Sequence, residues 1–304
     1  MMEVGLVMDI KAIALDMDGT LLNDKNTVSG ELVKLIRELR NQNIRIFIAT
    51  GRTKQEIYDV LPENLHVDGF VSANGMSCFT NHRDISQHTL PADLVKTVLT
   101  NARKRNLYYE IHPKNGSRFA LKDDKETLEK ELHLPRPDTL LNNEYISRVE
   151  SVQNEMKWVD EIRYEDNLKI YFFSMNTDII NNWKHTLKKI KQETDFSLSS
   201  SSLHNAEIMV SNVSKATGIK MLLKEYNLSK VNLMAIGDGE NDLPMFELAA
   251  YSIAMKNADD TIQEKANEVT KYSYQENGLY KCLVEKLKSK LDSPNLIQLM
   301  FHNN

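Results

Sequence analysis

The stretch KAIALDMDGTLLND, residues 11–24, sets two carboxylates, Asp16 and Asp18, at the end of the apolar run Ala12–Leu15. Like charges crowded at the mouth of a buried strand cost free energy unless a cation, a shared proton or full solvation relieves them. Three other stretches carry residues of matching kinds. IRIFIA (44–49) is followed by Thr50 and Gly51, VNLMAIG (231–237) by Asp238, Asn241 and Asp242, and Lys215 opens a helical pattern after VSNVS. An open parallel sheet binds ligands at the carboxyl ends of its strands, so these groups are expected to share one crevice. Hard oxygen ligands of this type suit Mg²⁺. A cation between Asp16 and Asp238 would offset their repulsion, while Thr50, Gly51 and Lys215 would grip a phosphoryl group. Asp16 is then a candidate nucleophile, because carboxylates form aspartyl-phosphates. Asp18 is placed to protonate a leaving oxygen and afterwards to activate water.

The elements that must position these residues follow from hydrophobic periodicity. Residues 12–15 read as a buried strand, and SGELVKLIRELRNQN as a helix with Leu32, Leu35, Ile36 and Leu39 on one face behind a Ser29 cap. A strand at 44–49, a helix at 54–61 ending before Pro62, and a strand at 69–72 continue a βα rhythm. Past residue 84 the pattern changes. LYYEIHPKNGSRFALK (107–122) alternates and holds Asn115-Gly116, a type I′ hairpin signal. Helices are expected at 123–132, 144–160 and 178–193, with a strand at 168–175; SLSSSS (197–202) reads as a linker, a loop or a short strand. From 205 the βα rhythm returns with EIMV (207–210), a helix at 215–227 and the strand at 231–237. A last helix repeats Leu279, Leu283, Leu287 and Leu291. The simplest architecture is an α/β core, 1–84 and 205–304, interrupted by an α+β insertion, 85–204.

Composition narrows the field. At 41% hydrophobic and 27% charged the chain has globular proportions, and a net charge of −5 without a basic stripe argues against nucleic acid as a partner. Only Cys78 and Cys282 occur, which points to reduced thiols and not to a disulfide framework. The start MMEVGLVMDIK has no basic, apolar leader pattern and no run is long enough to span a membrane, so the expectation is a cytoplasmic protein with no membrane partner. The eight histidines show no metal spacing. A calcium loop counted from Asp16 would need an acid where Thr27 stands. Taken singly, Thr50-Gly51 is an ordinary strand-to-helix turn and Lys215 a solvated helix start; their company reverses that reading. Asp24 reads as a solvated loop residue. Arg52 either touches substrate or braces its loop, and Asn74 sits at the hinge into the insertion. His112 and Arg118 flank the expected hairpin, which reads as a surface element that could face substrate.

DMDGT, ATGR, the downstream Lys215 and GDGEND, in that order, closely resemble the haloacid dehalogenase-like hydrolases and their Cof-type phosphatases, over the whole chain. The resemblance implies a Rossmann-like parallel-sheet core with an inserted α+β cap domain. It implies Asp16 as nucleophile and Mg²⁺ ligand, Asp18 as acid/base and carbonyl ligand, and Asp238 as the remaining protein ligand. It also implies phosphate contacts from Thr50, Gly51, Lys215, Asn241 and the Met17 N–H, with Asp242 close by. The expected activity is Mg²⁺-dependent hydrolysis of a small phosphate monoester through an aspartyl-phosphate. The alternatives are a phosphomutase that passes the phosphoryl group to a second hydroxyl, or a regulator that only binds phosphometabolites. Substrate identity and oligomeric state are left open by the sequence.

Overall fold

The structure, a computed structural model, describes residues 9–140, 142–200 and 202–288. Leu291 of the leucine stripe and the tail 293–304 lie outside them. The chain packs as two compact units, Met1–Ser86 with Ser214–Asn304, and Gln87–Val213. In chain order, the first unit opens with β1 (Ala12–Leu15), α1 (Gly30–Asn41), β2 (Arg45–Ala49), α2 (Lys54–Tyr58), β3 (Gly69–Ser72), β4 (Ser77–Phe79) and β5 (Asp84–Gln87). The insertion holds α3 (Ala92–Arg103), β6 (Tyr108–Pro113), β7 (Phe119–Leu121), α4 (Lys125–Leu132), α5 (Asn142–Glu150), β8 (Lys157–Val159), β9 (Asn167–Phe173), α6 (Thr177–Ile190), β10 (Ser197–Ser199) and β11 (Asn205–Met209). The first unit resumes with α7 (Lys215–Glu225), β12 (Leu233–Gly237), α8 (Leu243–Leu248), β13 (Tyr251–Ala254), α9 (Asp260–Gln263), β14 (Glu268–Val269) and α10 (Gly278–Lys286).

The core sheet runs β14-β13-β12-β1-β2-β3-β4-β5, parallel from β14 to β3. Its central strands are buried on both faces, which is why they read as unbroken apolar runs. Ile13, Leu15, Ile46 and Ile48 share one cluster with Leu32, Leu35, Leu39, Leu279 and Leu283 of α1 and α10. Ala12, Ala14, Phe47 and Ala49 share the other with Ile219, Leu222 and Phe246 of α7 and α8. Ser29 caps α1 as expected, accepting the Leu32 N–H at 3.2 Å. The chain steps outward through β2 and β3, then returns on the far side of β1 as β12. That reversal beside β1 is the switch point at which open α/β sheets bind ligands.

The insertion has its own sheet, β10-β11-β9-β6-β7-β8, antiparallel except between β7 and β8. One face is apolar: Ile111, Ile170, Phe172 and Ile208 cluster with Val95, Leu99, Trp183 and Leu187 of α3 and α6. Three expectations are corrected here. EIMV does not open the returning core: Asn205–Met209 pairs antiparallel with β9, and its alternation of Ala206 and Ile208 with Asn205 and Glu207 is that of a strand with two different faces. The helix expected at 144–160 is α-helical over Asn142–Glu150, continues as a wider helical turn over Ser151–Glu155 and then gives way to β8, while SLSSSS contributes the short strand β10. The 107–122 hairpin is not the surface element expected: its strands are buried and its turn, 115–117, is exposed. All of β6 is buried, a register shift at His112/Pro113 ends the regular ladder, and the link spans 114–118 with Gly116 at φ +90°. Among the described residues no helix is long and apolar enough to cross a membrane.

Candidate active site

The carboxyl ends of β1, β2, β3 and β12, with the start of α7, build one polar cluster in the core unit. Asp16 follows β1 and its N–H donates to the Ile236 carbonyl at 3.0 Å, tying it to β12. Met17–Leu21 then forms one wide turn, closed by the Leu22 N–H on the Met17 carbonyl at 2.9 Å and anchored by the buried Met17 side chain. Gly19 is required in this turn. Its φ is +74°, and a Cβ there would lie 2.0 Å from Asp238 Oδ2. Asp18 leaves the cluster's interior with a side chain 55% exposed, and Arg52 grips its carboxylate with Nε to Oδ2 at 2.9 Å and Nη2 to Oδ1 at 2.7 Å.

Thr50 ends β2 fully buried; its N–H donates to the Val71 carbonyl and its hydroxyl oxygen accepts the Arg52 N–H at 3.1 Å. Thr53 and Glu56 then start α2 with a reciprocal capping box. After β3 the backbone runs through three consecutive positive φ angles, +46° at Ala73, +53° at Asn74 and +101° at Gly75. Strain of this kind persists where surrounding contacts impose it. Here the Ala73 N–H donates to the Arg52 carbonyl, the Asn74 N–H donates to that of Thr50, and Gly75 packs so closely that a Cβ would sit 2.2 Å from the Ser214 carbonyl oxygen. The turn presents the Asn74 side chain to Gly51, and Asn74 Oδ1 accepts from Asn241 Nδ2 at 3.0 Å.

Lys215, in the first turn of α7, is the hub. Its buried ammonium donates to Asp16 Oδ1 and, at 2.6 Å, to Asp242 Oδ1. Asp242 Oδ2 accepts the N–H groups of Asp238 and Gly239, each at 2.9 Å, so both oxygens of this buried carboxylate are taken. Asp238 Oδ1 faces the Thr20 hydroxyl at 3.4 Å, and Oδ2 accepts from Asn257 Nδ2 at 3.0 Å. Oxygens of Asp16, Asp238 and Asp242 lie within 4.8 Å of one another, close enough to hold a metal ion. Because Asp242 is committed to Lys215 and two N–H groups, Asp16 and Asp238 are the carboxylates with capacity for a cation.

The electrostatics are unbalanced in the same direction. Burial, then the Asp242 charge, push Asp16 well above the usual carboxylate range, and Lys215 only partly opposes them. Asp238 is pushed up to about 7 by burial and by Asp242. Lys215 moves the other way: burial disfavours its charge, but Asp16 and Asp242 outweigh that and hold it protonated. One ammonium among two buried carboxylates and the half-buried Asp238 leaves a negative excess that a hard divalent cation would offset. The residues therefore fit such a group.

All eleven residues singled out from the motifs lie in the core unit. Asp16, Asp18, Asp238, Asp242, Lys215, Thr50, Gly51, Arg52, Asn74 and Asn241 are joined through the contacts above, with Met17 beneath as the turn's anchor. Asp24 is exposed, as expected. His112 and Arg118 belong to the insertion, where both lie against the buried Glu110 at 3.2 and 2.8 Å. Asn257 was missed; its signal was available, since it follows the apolar run SIAM at a strand's carboxyl end, where the other site residues also stand.

Comparison with known proteins identifies the family. Residues 13–283 match the family model described as haloacid dehalogenase-like hydrolase. Two Bacillus subtilis relatives, both named 5-amino-6-(5-phospho-D-ribitylamino)uracil phosphatase, are similar along nearly their full lengths. YwtE is 29% identical over 280 residues, covering 89% of this chain and 96% of its own. YcsE is 26% identical over 263 residues, covering 86% and 90%. A haloacid dehalogenase-like hydrolase structure from B. subtilis superposes with a TM-score of 0.73 at 27% identity, covering 90% of this chain and 99% of that one. The chain thus belongs to the haloacid dehalogenase-like hydrolases, in their Cof-type phosphatase branch.

Proposed function

We propose that this chain hydrolyses a small phosphate monoester with a sugar-like carbon chain, depends on Mg²⁺, and works through an aspartyl-phosphate on Asp16. The observation that carries the reading is the buried Lys215 ammonium shared by Asp16 and Asp242, with Asp238 beside them and a net negative excess. Asp16 and Asp238 through carboxylate oxygens, and Asp18 through its carbonyl, would hold Mg²⁺, which when bound offsets their charge and polarises the phosphoryl oxygens. Thr50, Gly51, Asn241, Lys215 and the Met17 N–H bind the phosphate. An Asp16 oxygen attacks phosphorus and the bond to the leaving oxygen breaks; Asp18 delivers the proton that oxygen takes up. Water then gives its proton to Asp18 and attacks phosphorus, freeing Asp16 and inorganic phosphate. Asp242 holds Lys215 in place, Arg52 orients Asp18, and Asn74 orients Asn241. The names of the B. subtilis relatives support a phosphorylated polyol joined to a heterocycle as the substrate type.

The test is turnover of p-nitrophenyl phosphate, sugar phosphates, nucleotides, flavin mononucleotide, pyridoxal phosphate and 5-amino-6-(5-phospho-D-ribitylamino)uracil. Hydrolysis is expected with Mg²⁺, to vanish with a chelator and in Asp16→Asn, and to release inorganic phosphate without an isomeric sugar phosphate. Wild-type turnover no greater than that of Asp16→Asn across the panel would overturn the reading, and isomer formation would make the enzyme a mutase.

A further inference from the structure

From the hydrogen bonds of Asn257, we infer that this residue is a positioning residue for Asp238, and through it for the metal. The inference rests on the reading of Asp238 as a metal ligand. Asn257 lies three residues beyond β13. Its Nδ2 donates to the Gly19 carbonyl and to Asp238 Oδ2, both at 3.0 Å, and its Oδ1 accepts the Tyr274 N–H at 3.1 Å. One amide thus fastens the loops that follow β1, β12 and β14. Two donors and an acceptor in one plane are what this junction uses, and an aspartate there would set a like charge beside Asp238. The Thr20 hydroxyl contacts the other Asp238 oxygen at a longer 3.4 Å, so of these two neutral partners Asn257 holds the carboxylate more closely. Asn257 is exposed, where such bonds add little to stability. Their effect is on direction: Asp238 is held against the Gly19 turn, which has no room for so much as a methyl group. Partners that orient a metal ligand typically set metal affinity by about 10- to 100-fold.

The experiment is calorimetric titration of the full chain with MgCl₂, comparing wild type with Asn257→Ala, alongside metal-free melting curves and kcat at saturating Mg²⁺. The expected result is a dissociation constant for Mg²⁺ raised roughly 10-fold, an unchanged metal-free melting profile, and a kcat that recovers when Mg²⁺ is raised. A merely structural role would lower the melting temperature and would not be rescued by metal. Mg²⁺ affinity within about twofold of wild type, well below the expected change, overturns the inference. Should the alanine variant fail to fold, Asn257→Leu keeps the branched shape without donors or acceptor and is judged by the same criteria. A wild type that shows no Mg²⁺ binding refutes the metal reading of Asp238 itself, a distinguishable failure.

Discussion

Asp242→Asn replaces one carboxylate oxygen by an NH₂ group and sets two electrostatic effects against each other. Asp242 accepts three donors, Lys215 Nζ at 2.6 Å and the N–H groups of Asp238 and Gly239 at 2.9 Å. An asparagine oxygen can keep the two backbone bonds only by turning its NH₂ toward the ammonium. Breaking a buried ion pair costs about 3–5 kcal/mol, and the lower end applies because Lys215 keeps Asp16. Against this stands relief of repulsion. Asp238 is pushed from 3.8 to about 7 by burial first and by Asp242 second, against the lowering effect of Lys215; the net penalty on its ionised form is roughly 4 kcal/mol, and losing the Asp242 charge should return a part of it on the order of 2 kcal/mol. Net destabilisation without metal is then about 1 kcal/mol or somewhat more. With Mg²⁺ bound the repulsion is already offset, so the full ~3 kcal/mol should emerge. At roughly 2–4 °C per kcal/mol for a unit of this size, the melting temperature should fall by about 2–4 °C without metal and 6–12 °C in saturating Mg²⁺. Melting followed by circular dichroism in both conditions measures it. A gap between variant and wild type that stays constant or narrows on adding Mg²⁺ would refute the reasoning.

Three further changes probe other parts of the molecule. Gly75→Ala forces a Cβ to within 2.2 Å of the Ser214 carbonyl oxygen at a φ of +101°, and urea unfolding should show a loss above ~2 kcal/mol. Arg52→Ala removes the fork on a carboxylate that is 55% exposed, so melting should barely move, while kcat should fall about 10-fold or more through misplacement of Asp18. Glu110→Gln tests the charged interior of the insertion. Burial alone would raise the Glu110 carboxyl, but the charges of Arg148 and Arg118 and a hydrogen bond from His112 hold it well below the usual glutamate value. Its contribution is therefore complete above a pH of about 4.5 and is lost as pH falls through the depressed folded-state value. Wild type should exceed the variant by about 3–5 kcal/mol at neutral pH, with the gap closing in acid. Trp158 and Trp183, the only tryptophans, both lie in the insertion, so their fluorescence reports this unfolding directly.

The core was legible because its strands are buried on both faces, which leaves runs such as AIAL and RIFIA with no competing reading. The candidate site was legible for a related reason: its residues stand in short segments at strand ends, where spacing along the chain stands in for proximity in space. Asn257 shares the strand-end position but stands there as a lone amide, whose role becomes specific only when Gly19, Asp238 and Tyr274 are seen around it. Boundaries in the insertion were hardest. Glu110 looks like the polar half of an alternating strand, yet it is buried by Arg118, Arg148 and Ser151, which lie 8, 38 and 41 residues away. Nothing local distinguishes such a residue from a solvated one, and β11 was assigned to the wrong sheet because a four-residue apolar window carries no information about its partner.

The position of β1 between β2 and β12 has a consequence for synthesis. Ala12–Leu15 is complete on one edge as soon as β2 emerges from the ribosome, but its other edge waits for Leu233–Gly237. At roughly 5–20 residues per second, the 218 residues separating Thr20 from Asp238 take about 10–40 s to make. Throughout that interval a wholly apolar strand offers unpaired backbone groups to any neighbour, and Asp16 has neither Lys215 nor Asp238 beside it. The insertion, whose sheet is made entirely of its own strands, can fold in the meantime. The growing chain therefore carries a finished domain and an adhesive half-sheet, and the point of greatest exposure to aggregation and to chaperones falls just before the second half of the candidate site arrives.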